Sequence, residues 1–361
     1  MSKVLLFSDI HIDQHKKSLD RLHHCLEAFE WVFQTAQSHS IKDVIFAGDL
    51  FQSRQKIDVM TYHLTFKILE KYCSKLVNLW LLLGNHDMWF HDKWDISSVE
   101  PFSAIDGITF IDKPCTLDVA GVPVDFLPYT HAPLDHLNVL RKGLKKRKDR
   151  KTLIAHLAVD GAQLNTLHNT RSDVIIEHDG EMTRVDSDSF EGWDKVWLGH
   201  YHGQQKVGLV AEYIGSPLQL NFGEAFQHKH VIIYNLEDGS TEYIRNKFSP
   251  QHFIIPEKDI DKYDVTKNFI RLEVEDVGNA DLLQLRKEVQ QMKPGSLEIM
   301  PVEKKEQTHV VSDAKAILYK EDEMLTTYVD QVLAESGDNI AKLDKETLLK
   351  IGKEICQLQT E

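Results

Sequence analysis

Carboxylate, amide and imidazole side chains recur where apolar runs stop. Val4 to Phe7, Val44 to Ala47 and Leu79 to Leu83 are followed by Asp9-Ile10-His11, Gly48-Asp49 and Gly84-Asn85-His86-Asp87. Two later runs end in His156 and in Gly199-His200-Tyr201-His202. Taken singly, each fragment is ordinary: Gly-Asp after a strand is usually a turn, and a lone histidine packs or faces water. Five such endings in this order point to a metal site. Histidine is the commonest side-chain metal ligand near neutral pH, and the chain holds 19 against four cysteines. Asp9 and His11 are two apart, as are His200 and His202, so on extended backbone each pair shares a side and one strand end supplies two ligands.

The elements that must carry these groups alternate between strand and helix. The three early runs read as short buried strands. Helical spacing lies between them, over Leu19 to Ala36 (Leu22, Cys25, Leu26, Phe29, Val32, Phe33, Ala36) and over Met60 to Tyr72. Further strand-like runs follow at 108–111, 116–119, 122–127, 152–156, 195–198, 207–214 and 230–235, so residues 1–250 read as one sheet-rich domain. Groups at strand C-termini share one edge of a sheet, where open α/β folds place their sites. Beyond Pro250 and Pro256 a strand (Phe269 to Val274), a helix (Ala280 to Met292) and a strand (Leu297 to Pro301) form a small α/β unit, placed at 256–303. Residues 304–361 read as a polar linker and two helices, around 313–335 and 344–359, with apolar stripes.

The chain has 361 residues, 42% hydrophobic and 27% charged, an ordinary globular composition with room for about two domains. No apolar run approaches the ~20 residues of a membrane span. Lys3 is followed by only four apolar residues before Ser8-Asp9, so no signal-peptide core is read there. Cys25, Cys73, Cys115 and Cys356 form no Cys-x-x-Cys pair, which argues against a zinc ribbon or disulfide framework and for a reducing cytoplasm. A net charge of −14 argues against gripping nucleic acid by bulk charge. One stretch reverses the sign. Residues 141–151 hold eight basic residues and one acid, against 19 basic and 32 acidic in the rest of 1–250. Lys145, Lys146, Arg147 and Lys148 at its centre are candidates for DNA-phosphate contact. The plainer reading is the solvated end of a helix.

The ordered fragments resemble the calcineurin-like metallophosphoesterases. The resemblance implies a four-layer α-β-β-α sandwich, here followed by a small α/β cap and C-terminal helices. It also implies two metal ions side by side at the sheet edge. Asp9, His11, Asp49 and His202 correspond to the ligands of one, and Asp49, Asn85, His156 and His200 to those of the other, with Asp49 bridging. His86 corresponds to the catalytic residue that faces the substrate phosphate, and Asp87 either orients His86 or, as the better reading, caps the loop. A mixed oxygen and imidazole set suits Mn²⁺, with Mg²⁺ as the alternative. Such a pair polarises the phosphoryl oxygens and brings a hydroxide within reach of neutral pH for in-line attack. His86 then serves the leaving oxygen as proton or hydrogen-bond donor.

Gly48-Asp49-Leu50-Phe51, Gly215-Ser216-Pro217-Leu218 and Asn221-Phe222-Gly223-Glu224 are similar to segments of the SbcD family of DNA-repair nucleases. That likeness implies a DNA nuclease subunit, exonucleolytic on duplex ends and endonucleolytic on single strands, in recombination, repair or degradation. It implies a cap that positions DNA and C-terminal helices docked on the coiled coil of an SbcC-like ABC-type ATPase. A homodimer of the nuclease subunit and a cytoplasmic location, the host's for a phage-encoded member, go with it. One position departs: some relatives carry histidine after Asp-Leu-Phe, whereas Gln52 stands here, able to hydrogen-bond but not to transfer a proton. Residues 251–361 contain 15 basic and 23 acidic residues, so the cap and tail offer no broad cationic face. The competing reading is a phosphodiesterase or phosphatase acting on nucleotides or small phosphoesters. An intact donor set argues against a scaffold that has lost the chemistry.

Overall fold

Alternate residues of β1 (Lys3–Phe7) are buried in opposite directions. Leu5 and Phe7 pack with helices, while Val4 and Leu6 pack against a second sheet. Cover on both faces is why the run reads as continuously apolar rather than alternating. The same holds for the inner strands of the large sheets in the computed structural model, which describes residues 2–302 except 16, 74, 91–92, 163–175, 179–180, 184 and 276–278.

After β1 come α1 (Leu19–Ser38), β2 (Asp43–Phe46), α2 (Val59–Cys73), β3 (Asn78–Leu82), β4 (Ile108–Ile111), β5 (Cys115–Val119), β6 (Val122–Leu127) and α3 (Pro133–Leu144). The chain continues through β7 (Thr152–His156), β8 (Ile176–His178), β9 (Glu181–Thr183), β10 (Lys195–Gly199), β11 (Gln205–Val207), β12 (Ala211–Tyr213), β13 (His230–Asn235) and β14 (Thr241–Arg245). It then runs through β15 (His252–Pro256), β16 (Phe269–Glu275), α4 (Asn279–Gln291) and β17 (Ser296–Val302).

Two six-stranded sheets face each other, in orders β14-β13-β1-β2-β3-β4 and β11-β12-β10-β7-β6-β5. Val4, Leu6, Ile45 and Leu82 of the first meet Val124, Phe126, Ile154 and Trp197 of the second. Helices α1 and α2 cover the outer face of the first sheet, and α3 covers that of the second through Leu137, Leu140 and Leu144. This is the four-layer α-β-β-α sandwich expected. α1 starts where Ser18 accepts a hydrogen bond from the Arg21 backbone N–H, an N-cap, and its buried stripe is the one read from the spacing. β1 to β4 are mutually parallel, as are β6, β7, β10 and β12, so the loops that carry chemistry leave each sheet along one edge.

Several elements differ from expectation, among them β8 and β9, which were not read from the sequence. The run 207–214 is a hairpin, broken by a turn that begins at Gly208 (φ 66°) and returns β12 antiparallel to β11. α3 was hidden because its apolar positions are few and its end runs into the basic stretch. β14 is an edge strand with a mostly exposed face, so it lacks an apolar pattern. β15 joins β16 and β17 in a parallel three-stranded sheet covered by α4, so the small sheet begins at His252, ahead of the boundary expected at 256. Pro256 is tolerated because β15 is an edge. The compact unit Met1–Lys304 holds both sandwich and small sheet. The linker, the helices expected at 313–335 and 344–359, and Cys356 lie outside the described residues. Cys25, Cys73 and Cys115 are free thiols, and no described helix is long and apolar enough to cross a membrane.

Candidate metal centre

The register of the parallel strands brings the loops together. β1 and β2 end level, and their ladder continues past both strands, with Asp9 N–H donating to the Gly48 carbonyl at 3.0 Å and His11 N–H to the Asp49 carbonyl at 3.2 Å. In the other sheet His156 sits opposite Gly199. The backbone then turns in a way extended geometry does not provide. Asp9 (φ 51°), His11 (46°), Asp49 (65°) and His200 (106°) all have positive φ. Asp9 and His11 therefore converge through left-handed backbone and not through strand alternation, which corrects the expectation from their two-residue spacing. Such conformations cost of order 1–3 kcal/mol each and collect at functional sites.

Two glycines make room. A Cβ on Gly48 (φ 97°) would strike His156 Nδ1 and approach Gly84 Cα to 2.8 Å; one on Gly84 would strike the Asp49 carboxylate. That is the reason for Gly in both Gly48-Asp49 and Gly84-Asn85.

The convergence produces three overlapping groups: Asp9, His11 and His202; His11, Asp49 and His86; and Asp49, His156 and His200. Within each, one donor atom per residue lies within 4.8 Å of the others. Asp49 Oδ2 is 3.6 Å from His11 Nε2 and 3.4 Å from His156 Nε2, between the two ends of the cluster. Asn85 Oδ1 is 2.9 Å from His156 Nε2 and 3.0 Å from His200 Nδ1. Thus Asp9, His11, Asp49, Asn85, His156, His200 and His202 are brought together, with His86 beside them.

The donor set fits divalent cations, and the lone pairs say why. The Nδ1–H of His156 donates to the Ala47 carbonyl at 2.7 Å and that of His202 to Glu224 Oε1 at 2.9 Å. Both rings therefore present an Nε2 lone pair inward when neutral. The inward nitrogen of His156 faces a further lone pair, Asn85 Oδ1, and the His202 Nε2 lone pair is turned to His11 Nε2 at 3.0 Å. Acceptor facing acceptor in a buried site requires a proton or a Lewis acid between them.

The charges tell the same story. Burial opposes charge on His156, yet Asp49 and Asp9 lift it to about 9. Burial also opposes charge on His202, which Glu224 raises above the ordinary histidine range. Burial and the neighbouring His156 push His200 down to about 3, and burial raises Asp9. Asp49 is held well below the carboxylate range, since His156 and His11 outweigh its burial.

Supporting residues that the sequence reading did not assign stand behind the donors. Glu224, buried, accepts from His202, from Lys229 Nζ at 2.7 Å and from the Leu220 N–H at 3.2 Å. Its carboxyl is driven far down: the Lys229 charge and the His202 hydrogen bond overcome burial. The Asn221-Phe222-Gly223-Glu224 segment was visible as a resemblance, but its role was not, because the partner His202 is distant in sequence. Tyr129 lies with its ring near parallel to His200, centroids 6.3 Å apart. Asp87 caps the loop, accepting from the N–H groups of Asp49, Leu50 and Gly84 at 2.9–3.0 Å. Burial and Asp49 raise it to about 7. His86 is oriented by Gln52, whose backbone carbonyl accepts from His86 Nδ1–H at 2.7 Å and leaves Nε2 free of that bond.

The basic stretch is not part of this cluster. It precedes Thr152, at the N-terminal end of β7, whereas His156 ends that strand. Arg147 is engaged by Asp125 at 3.0 Å and Asp149 at 2.9 Å, while Lys145, Lys146 and Lys148 are exposed.

The calcineurin-like phosphoesterase family model matches residues 2–204, which contain all seven donors and His86. The chain belongs to the calcineurin-like phosphoesterase family. This phosphoesterase is 23% identical over 227 residues to exonuclease subunit 1 of Enterobacteria phage T4, covering 61% of each chain. It is 24% identical over 274 residues to the SbcD subunit of the SbcCD nuclease of Escherichia coli strain K12, covering 68% of this chain and 67% of that one. The match to the phage protein thus spans less than two thirds of that relative's own length. Glu224 and Lys229, which support His202, fall beyond the matched residues.

Proposed function

We propose that the chain is a metal-dependent DNA nuclease subunit, cutting duplex ends exonucleolytically and single strands endonucleolytically, and acting with an SbcC-like ABC-type ATPase in recombination, repair or degradation. The observation that carries the reading is the inward-facing set of lone pairs shared by Asp49, Asn85 and the four histidines. The nuclease names of both relatives support a nucleic acid as the substrate.

Two divalent ions, Mn²⁺ or Mg²⁺, would supply Lewis acidity at the phosphoryl oxygens and a nucleophile at neutral pH. Asp9, His11, Asp49 and His202 would hold one, and Asp49, Asn85, His156 and His200 the other. Ala47 and Glu224 keep the Nε2 lone pairs of His156 and His202 pointed inward. His86, the partly exposed member of the group, carries the acid role: Gln52 fixes Nδ1–H, so the imidazolium presents Nε2–H to the leaving oxygen. The Gln52 backbone does this, which makes its side-chain identity immaterial to that orientation. Lys145, Lys146 and Lys148 are proposed as outlying contacts to the DNA backbone. A homodimer in a cytoplasmic compartment completes the reading.

The test is turnover with Mn²⁺ on linear duplex DNA and on bis-p-nitrophenyl phosphate, with and without the ATPase partner. Cleavage of DNA that depends on metal, and of blocked ends that depends on ATP, is expected. Cleavage of the small ester alone, with the partner present, replaces the nuclease by a phosphodiesterase or phosphatase of small substrates.

A further inference from the structure

We propose that the cavity beside His202 takes a second phosphate of the DNA strand, flanking the one that is cut, and that Arg21 holds it. The proposal deepens the nuclease reading and rests on it. The cavity has a volume of about 600 Å³. Ser18, Arg21, Gln52 and His202 line one side and Phe269 and Ser296 of the small sheet the other.

Arg21 is a buried cation without a counterion. Its residue is 6% exposed, and no described carboxylate forms an ion pair with it. Nη2 donates to the carbonyls of Gln219 at 3.2 Å and Leu220 at 3.1 Å, and the guanidinium carbon lies 4.5 Å from the Phe269 ring centroid. Nη1 is buried and has no hydrogen-bond partner. Glu224, the carboxylate whose charge acts on Arg21, is already committed to Lys229 and His202. Burying a charge without a partner is costly, and an anion from outside the chain removes that cost.

A second source of positive potential points to the same place. Arg21 sits in the first turn of α1, behind the Ser18 cap, where the helix already presents partial positive charge. A cation there opposes the helix dipole, whereas an anion satisfies both helix end and guanidinium. Of the acids on the cavity wall, Glu298 is paired with Arg271 at 2.9 Å, and Asp13 is the other. A short relay ties the cavity to the centre: Arg21 holds the Leu220 carbonyl, the Leu220 N–H donates to Glu224, and Glu224 holds His202. His202 and Arg21 line the same cavity, so a strand with one phosphate at the centre can place a neighbouring phosphate there.

The experiment replaces single phosphates of a single-stranded oligonucleotide by neutral methylphosphonates, one position at a time. Cleavage by the full chain with Mn²⁺ is compared for wild type, Arg21→Gln and Arg21→Lys. Wild type is expected to show one flanking position where the neutral linkage raises KM about tenfold. Arg21→Gln is expected to be indifferent at that position, and Arg21→Lys to keep part of the sensitivity. The ratio of kcat/KM on the oligonucleotide to that on bis-p-nitrophenyl phosphate should fall about tenfold in Arg21→Gln. The salt slope of oligonucleotide binding, read by fluorescence anisotropy, should fall by about one. Arg21→Gln as sensitive as wild type at every position overturns the proposal. So does a parallel loss on both substrates, which marks Arg21 as a support for the Gln219–Leu220 backbone only. Turnover of the small ester by wild type with no oligonucleotide cut removes the nuclease reading, and this proposal with it.

Discussion

The two ends of β7 hold buried charge in opposite ways. At the start of the strand the Asp125 carboxylate accepts from Arg147 through both oxygens, from Thr116 at 2.7 Å and from Trp193 at 2.8 Å. Arg147 goes on to Asp149 and the Pro123 carbonyl. Asp125 and Arg147 both have their partners on the chain. At the end of the strand His156 Nε2 turns its lone pair on Asn85 Oδ1, and the His202 Nε2 lone pair is turned to His11 Nε2. The first arrangement is complete as folded, and the second is complete only when something positive enters. Abundance of charge in sequence does not separate the two, but the saturation of its partners does.

Breaking the saturated end should cost stability and nothing else. Arg147→Ala leaves Asp125 buried without its cation, and an unfolding free energy lower by about 3 kcal/mol is expected from chemical denaturation, with Mn²⁺ affinity kept. A loss of metal affinity in that variant would mean that the two ends are not independent.

At the other end the contrast sharpens through Glu224. Glu224→Gln keeps a hydrogen-bond acceptor behind His202 but removes the charge, and Mn²⁺ affinity by calorimetry should fall about 10- to 100-fold. An unchanged affinity would strip Glu224 of that role.

Protons and metal ions compete for the same lone pairs. His156 is lifted to about 9, so at neutral pH the metal-free protein holds a proton there that binding must expel. The sign follows: apparent Mn²⁺ affinity should rise with pH, by about tenfold per unit for one proton released, and level off near pH 9. A flat profile between pH 6 and pH 8 contradicts the competition for lone pairs, in which about one proton is displaced.

The smallest effect belongs to the exposed lysines. Neutralising Lys145, Lys146 and Lys148 should leave turnover of bis-p-nitrophenyl phosphate within about twofold, because they sit at the far end of the strand. It should lower the salt slope of DNA binding by about one for each phosphate that these lysines neutralise. An unchanged slope takes these residues off the DNA path.

What could be read from sequence follows the same division. The strand ends were legible because a buried parallel strand leaves an uninterrupted apolar run, and the polar groups that follow stand out against it. The four-layer fold followed from the family that the ordered strand ends resemble. The left-handed backbone at Asp9 and His11 was not legible, since nothing in an Asp-x-His fragment distinguishes it from extended chain. Glu224 behind His202 and the Gln52 carbonyl behind His86 were hidden because a supporting contact is a relation between distant segments, and in the second case the acting atom is backbone. The unpaired Nη1 of Arg21 is an absence of partners, which only a packed structure reveals.

Anomalous scattering at the manganese edge from crystals grown with Mn²⁺, for wild type and Asp49→Asn, tests the centre most directly. Two peaks per chain are expected in wild type, among Asp9, His11, Asp49, Asn85, His156, His200 and His202, with loss of at least one in the variant that no longer carries the shared carboxylate. No peak among these side chains in wild type, or the same two peaks in Asp49→Asn, would contradict a centre built around that carboxylate.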